Sequence, residues 1–402
     1  APVERAVPAL SSTGGSSVPS QGGPEGPPLP RQGPRDLLLA RDRKGTDFDR
    51  RGFLLTSAAA VGVAGVAGGV GRALHSRFDV AAARDAIALP APASPAPALP
   101  AGVDLQLPGL TPFTTRNADF YRVDTALVLP QVPPEQWKLR ITGRVGRELT
   151  LSYDDLLARD LIERDITLTC VSNEVGGNLA GHARWLGVPL RDLLDEVQPD
   201  DGADQVLSTS VDGWTCGTPT ELCRTTEGAM LAVAMNGEPL PVAHGFPVRM
   251  IVPGLYGYVS GTKWITEMRL TSFADVDPYW VRRGWKAQAP IKVMSRIDTP
   301  RGLSEHPRGT VRIAGVAWAQ TRGVARVECR VDGGPWQTAT LAASGGTDTW
   351  RQWFWNWPAD EPGLHTLEVR ATDGAGTTQT KRRAKPFPDG ATGWHSVVVT
   401  VV

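Results

Sequence analysis

The chain has 402 residues, and its 42 Lys+Arg are balanced by 42 Asp+Glu. That balance leaves no basic field for nucleic acid or acidic lipid, and the length predicts two or three domains with ample core. The four cysteines, Cys170, Cys216, Cys223 and Cys329, form no CxxC or CxxCH, which excludes a zinc ribbon, an iron–sulfur framework and a c-type haem attachment.

Residues 1–51 begin rich in Pro, Gly and Ser and end in a charged stretch. Such a composition cannot bury enough apolar surface to offset its ordering entropy, so this segment is expected to be disordered. From Gly52 to Gly71 no residue is charged; as a helix that run would be about 30 Å long, the thickness of a bilayer's hydrocarbon. Arg50-Arg51-Gly52-Phe53-Leu54 before it resembles a twin-arginine export signal. The expectation is a signal or membrane-anchor helix over 52–75 and an extracytoplasmic location, against the alternative of a soluble Ala-rich helix. Residues 76–106 are rich in Pro and Ala and read as an extended linker.

A first folded domain is expected over 107–289. Trp137 to Gly143 alternates as a strand ending at a glycine turn. Ser152-Tyr153-Asp154-Asp155 before Leu156-Leu157 reads as a capped helix start, and a second helix is expected from Leu190 to Val197. Ile166, Leu168 and Cys170 fall on one side of a period-2 pattern. That strand stops at Cys170, where Ser172, Asn173 and Gly176-Gly177 mark a loop. A sulfur at the end of a stiff element can be aimed at a ligand, although a free cysteine also serves as a small buried hydrophobe. Short strands and helices without a regular βαβ repeat predict an α+β fold. No GxGxxG or GxxxxGK[ST] appears, which removes the common nucleotide signals.

Over 290–402 the texture changes to alternating runs, Val311 to Trp318, Val324 to Val331 and His365 to Arg370, joined by Asp-Gly turns. Short strands at this spacing predict an all-β, immunoglobulin-like sandwich. The cluster Trp350, Trp353, Trp355 and Trp357 is assigned to its core rather than to an aromatic binding platform.

Cys170-Val-Ser-Asn173, then Arg184-Trp185-Leu-Gly-Val-Pro-Leu, then Met235-Asn-Gly-Glu-Pro-Leu-Pro-Val-Ala-His244-Gly-Phe-Pro-Val-Arg249, continuing to Lys263-Trp264, resemble the sulfite oxidase family of molybdenum enzymes. The resemblance implies a mixed α/β molybdopterin domain followed by an immunoglobulin-like dimerisation domain. It implies that Cys170 is the protein ligand to molybdenum, since thiolate sulfur suits that metal. It places molybdopterin against Asn117, Phe120, Tyr121, Asp212, His244, Arg249 and the Gly261-Thr262-Lys263 turn. On the strand from Val248 to Val252, alternation turns Arg249 away from the core. Arg116 and Trp185 fall at substrate positions, so with Cys170 they are the expected catalytic residues. Oxygen-atom transfer is implied, on a small sulfur-containing or anionic substrate. Electrons would pass to a separate carrier, a cytochrome or membrane redox protein. Glu174 stands where members of the family carry arginine, and a carboxylate there would repel a sulfite dianion. A sulfoxide reductase running the reverse reaction, and a non-catalytic extracellular binding protein on the same scaffold, are the alternatives.

Overall fold

The computed structural model describes residues 80–402. The expected disordered segment and the expected signal or anchor helix lie outside the described residues. Among the described residues, no helix is long and apolar enough to cross a membrane.

After a short helix α1 (Ala81–Asp85) come β1 (Lys138–Gly143), β2 (Leu149–Ser152), α2 (Tyr153–Leu157), β3 (Ile162–Thr169), β4 (Ala180–Pro189), α3 (Leu190–Val197), β5 (Gln205–Ser210), β6 (Thr215–Pro219), α4 (Thr220–Thr225), β7 (Met230–Met235), β8 (Glu238–Pro239), β9 (Arg249–Ile251) and β10 (Ile265–Thr271). The local signals have direct causes. The Ser152 side chain accepts from the Asp155 N–H while the Asp155 carboxylate accepts from the Ser152 N–H, a reciprocal capping box that starts α2. In α3, Leu190, Leu193, Leu194 and Val197 bury one face at helical spacing. The strands form two sheets, ordered β2-β1-β10-β5-β6 and β3-β4-β7-β8, with β9 added against β7.

The second half is β-rich: β11 (Met294–Thr299), β12 (Glu305–His306), β13 (Gly309–Trp318), β14 (Val324–Val331), β15 (Gln337–Thr338), β16 (Thr340–Leu341), β17 (Arg351–Ala359), β18 (Gly363–Asp373) and β19 (His395–Val401). Its sheets run β11-β13-β17-β16 and β12-β19-β18-β14-β15. Trp353 and Trp357 lie in the core between them, whereas Trp350 and Trp318 join the core of the first half. The α+β body followed by an all-β sandwich agrees with the fold expected from the sequence.

Two expectations change. The Cys170 end of β3 is buried on both faces, at Ile166 on one and Thr167 and Thr169 on the other, because the sandwich half covers its second side. The Thr167 N–H donates to the Asp348 carbonyl at 2.9 Å, the Thr167 hydroxyl accepts from the Trp350 N–H at 2.8 Å, and Gln320 donates to the Thr167 carbonyl at 3.0 Å. The Pro/Ala-rich segment is not a free spacer where it is described. Ser94 bridges Ile162 in parallel, Val103 is buried, and Leu89 and Leu99 pack against the core. Proline stiffens such a stretch, but the aliphatic side chains between the prolines still gain by burial. All four cysteines are free, Cys216 and Cys223 included.

Candidate active site

Cys170 sits one residue past β3, at the edge of a cavity that it shares with His244, Arg249 and Lys263. Several chain segments converge there. The Ser210 end of β5 lies opposite Ile265, the first residue of β10, so the β5–β6 turn and the Lys263 approach to β10 meet. β9 runs antiparallel to β7 with Arg249 paired to Ala232. Around Cys170 the loop is fixed by hydrogen bonds: the Cys170 N–H donates to the Leu179 carbonyl at 2.9 Å, and the Leu179 N–H donates to Asn173 Oδ1 at 2.8 Å. The Ser172 N–H reaches Cys170 Sγ at 3.4 Å. The sulfur's residue is 9% exposed. Burial pushes the thiol up, opposed by the Ser172 hydrogen bonds and the Lys263 charge; a bound cation would deprotonate it.

Arg249 is the most unusual charge in the site. It is 7% exposed, has no carboxylate partner among the described residues, and lies 5.2 Å over the Trp185 ring. Nη1 donates to the His244 carbonyl at 3.2 Å, while Nε has no partner. Burial pulls its guanidinium down to about 10. Val248, Met250 and Val252 face the core, as the alternation predicted. His244 lies in a single 3-10 turn with Nε2 3.1 Å from the Asn117 carbonyl. Burial, then the Arg249 charge, hold it down at about 4, so it is neutral at pH 7. Lys263 Nζ pairs with Asp124 Oδ2 at 2.6 Å, the two side chains 10% and 9% exposed, and burial lowers it to about 8. Burial alone would raise the Asp124 carboxyl, but Arg122 and Lys263 outweigh it and hold the group low.

The other expected residues separate into walls, supports and outsiders. Phe120, Tyr121, Asp212 and Gly261 line the cavity. Phe120 stacks on Tyr121 at 5.2 Å and meets His244 edge-on at 5.5 Å. The Gly261 N–H is already spent on the Gly257 carbonyl at 2.8 Å. Asn117 acts from behind, its carbonyl on His244 and its side chain held by Asn236 at 2.8 Å. Thr262 is fully buried, with its hydroxyl 2.6 Å from that of Ser208, so its side chain braces β5 rather than facing the cavity. Trp185 is likewise fully buried, its Nε1 donating to the Ile166 carbonyl at 3.2 Å; it supports Arg249 and is not a substrate wall. Arg116 is outside the lining, its side chain 82% exposed and bound to Asp119. Glu174 is also exposed and outside the lining.

Asp124, Trp280 and Trp285 are cavity residues that sequence reasoning missed. The two tryptophans meet edge-on at 6.2 Å, and Trp285 leans on Phe387 of the sandwich half at 5.4 Å. Their one available signal was an aromatic cluster, Tyr279-Trp280 to Trp285, in a loop between strands. Asp124 carried none.

The donor set tests the expected cofactor. Among the described residues, Arg249 Nε, Ser210 Oγ and Trp214 Nε1 are buried without hydrogen-bond partners, and all three residues line this cavity. Each unmade bond costs about 1–3 kcal/mol. Three orphaned donors, one of them on a guanidinium, and one thiol suit an anionic, hydrogen-bonding ligand that carries a thiophilic metal. Molybdenum on molybdopterin fits, with Cys170 for the metal and Arg249 for an anionic group.

Comparison with known proteins agrees. The family described as "Oxidoreductase molybdopterin binding domain" matches residues 126–280. Mitochondrial sulfite oxidase of Mus musculus is 30% identical over 343 residues, covering 72% of this chain and 62% of that protein. The Homo sapiens enzyme is 31% identical over 272 residues, covering 57% and 49%. The chain thus spans about half to three fifths of the length of these curated relatives. The uncharacterized oxidoreductase YuiH of Bacillus subtilis is 31% identical over 150 residues, 37% of this chain and 72% of that protein. The sulfane dehydrogenase SoxCD of Paracoccus pantotrophus shares the fold, with a TM-score of 0.64 at 20% identity over 72% of this chain and 82% of that one. With a cysteine at the strand end, a buried arginine lining the same cavity and these relatives, the chain belongs to the sulfite oxidase family of molybdopterin-dependent oxidoreductases.

Proposed function

We propose that this protein is a molybdenum-dependent oxidoreductase acting on a small sulfur-containing or anionic substrate, with electrons leaving to a separate carrier, a cytochrome or membrane redox protein. The observation that carries this reading is that Cys170 and the unpaired Arg249 open into the same cavity. Molybdopterin with its metal supplies two-electron oxygen-atom transfer when bound. Cys170 would hold the metal, while Arg249, Lys263 and Asp212 would orient the pterin. His244, neutral at pH 7, can donate or accept there but adds no charge. Trp280, Trp285 and Tyr258 form an aromatic wall that restricts water.

The same wall, together with Arg116 lying outside the cavity, favours an uncharged substrate over a free dianion and so supports the sulfoxide-reductase alternative. The folded chain divides at 107–289 and 290–402 in this proposal, the second part serving as a homodimer contact. The 52–75 segment would deliver the protein by the twin-arginine route to an extracytoplasmic, membrane-tethered or exported position.

Metal analysis of protein made in a cofactor-competent host tests the reading. Stoichiometric molybdenum, lost in Cys170→Ser with the fold retained, is expected. A folded protein without molybdenum would leave the binding-protein alternative. Turnover of sulfite and of methionine sulfoxide, measured side by side, separates the two reaction directions.

A further inference from the structure

Residues 121–132 contain no helix or strand, and among the described residues their backbone makes no backbone–backbone hydrogen bond. Yet Val123, Asp124 and Thr125 are part of the cavity wall. Leu127 and Val128 project outward, 102% and 81% exposed. Among the described residues, two polar ties hold the segment to the rest of the protein. Gln131 accepts from the Val80 N–H at 3.3 Å, and the part-buried Asp124–Lys263 pair spans 2.6 Å. The second tie is made inside the cavity, on one of its two wall cations. Asp124 thus holds the position that an anionic ligand needs, while Arg249 on the same cavity wall has no carboxylate partner among the described residues.

A ligand with a single charge and one acceptor gains little by exchanging with a carboxylate already in place. A phosphate monoester brings close to two charges and three acceptors, enough to engage Lys263 and Arg249 together. We propose that Asp124 is a built-in competitor for the cofactor's phosphate ester, and that residues 121–132 form a lid latched by Asp124 on Lys263 until that ester displaces it. The inference rests on the molybdopterin reading above. It makes Asp124 a determinant of which anions enter. It also couples cofactor loading to release of the lid.

The test uses the full chain purified from a host unable to make molybdopterin, with inorganic phosphate as the probe. Calorimetric titration should show Asp124→Asn binding phosphate on the order of tenfold more tightly than the parent, the effect of removing one like charge from the site. Elastase cleavage within 121–132, read by mass spectrometry, should be faster in Asp124→Asn, and faster in the parent when phosphate is added. Lys263→Gln should also free the lid but bind phosphate more weakly, which separates a latch from general loosening. Unchanged phosphate affinity in Asp124→Asn, or cleavage indifferent to both phosphate and substitution, would overturn the proposal. If those negative results accompany stoichiometric molybdenum in the parent from a competent host, the latch falls and the cofactor reading stands. Absence of molybdenum from that preparation removes both.

Discussion

Replacing Arg249 with Met should stabilise the empty protein while weakening cofactor retention, two effects of opposite sign from one side chain. Burial lowers this guanidinium from 12.5 to about 10. At 1.36 kcal/mol per tenfold change in proton affinity, the folded state carries a penalty of about 3 kcal/mol for keeping it charged at pH 7. Against this stand the contact with Trp185, worth about 0.5–1 kcal/mol, and the hydrogen bond to the His244 carbonyl, worth about 1 kcal/mol. The balance favours Met, which fills similar space over the indole, by about 1 kcal/mol and a rise of roughly 2 °C in Tm. Denaturant unfolding of cofactor-free parent and variant measures the first effect, and molybdenum content from a competent host measures the second. An empty variant less stable than the parent by more than about 1 kcal/mol would refute the idea that Arg249 is held in reserve for an anion.

Phosphate binding to the empty protein should weaken as pH rises through about 8, where Lys263 loses its proton; titration at pH 7 and pH 9.5 checks this. The same group gives a signed stability effect. Between about 8 and its unfolded value of 10.5, the unfolded chain holds the proton and the folded one does not, so its contribution to stability rises with pH across that window. Trp350→Ala should cost about 3–5 kcal/mol in denaturant unfolding, since the ring is fully buried and its Nε1 donates to the Phe113 carbonyl at 2.8 Å. Gly187→Ala should prevent folding or cost more than about 3 kcal/mol, because a Cβ there would lie 2.2 Å from the Leu231 carbonyl oxygen; soluble expression and circular dichroism report the outcome. Glu174→Gln should change the KM for sulfite less than about threefold, given that its carboxylate is exposed and screened.

The parts of the site legible in the sequence were those fixed by short-range pattern. Alternation in Val248 to Val252 told where Arg249 points. The end of the β3 pattern placed Cys170 at a strand terminus, and Ser152 with Asp155 marked α2. What stayed hidden depends on neighbours distant in the chain. Thr262 turned out to brace β5 because Ser208 lies opposite it, and Trp185 backs Arg249 because β4 and β9 flank β7 in one sheet. Arg116 sits three residues from Asp119, a local partner that draws it to the surface. Asp124 escaped notice because its local partner, Arg122, marks only a surface ion pair; its place in the cavity comes from Lys263, 139 positions away.

The double coverage of β3 ties the fate of the metal ligand to the other half of the molecule. Because Thr167, three residues before Cys170, is clasped by Trp350, Gln320 and the Asp348 backbone, trimming the gene before the sandwich would bare one side of the sulfur's own scaffold. The two halves are therefore expected to melt as one cooperative body in calorimetry, and to resist being shuffled as separate modules.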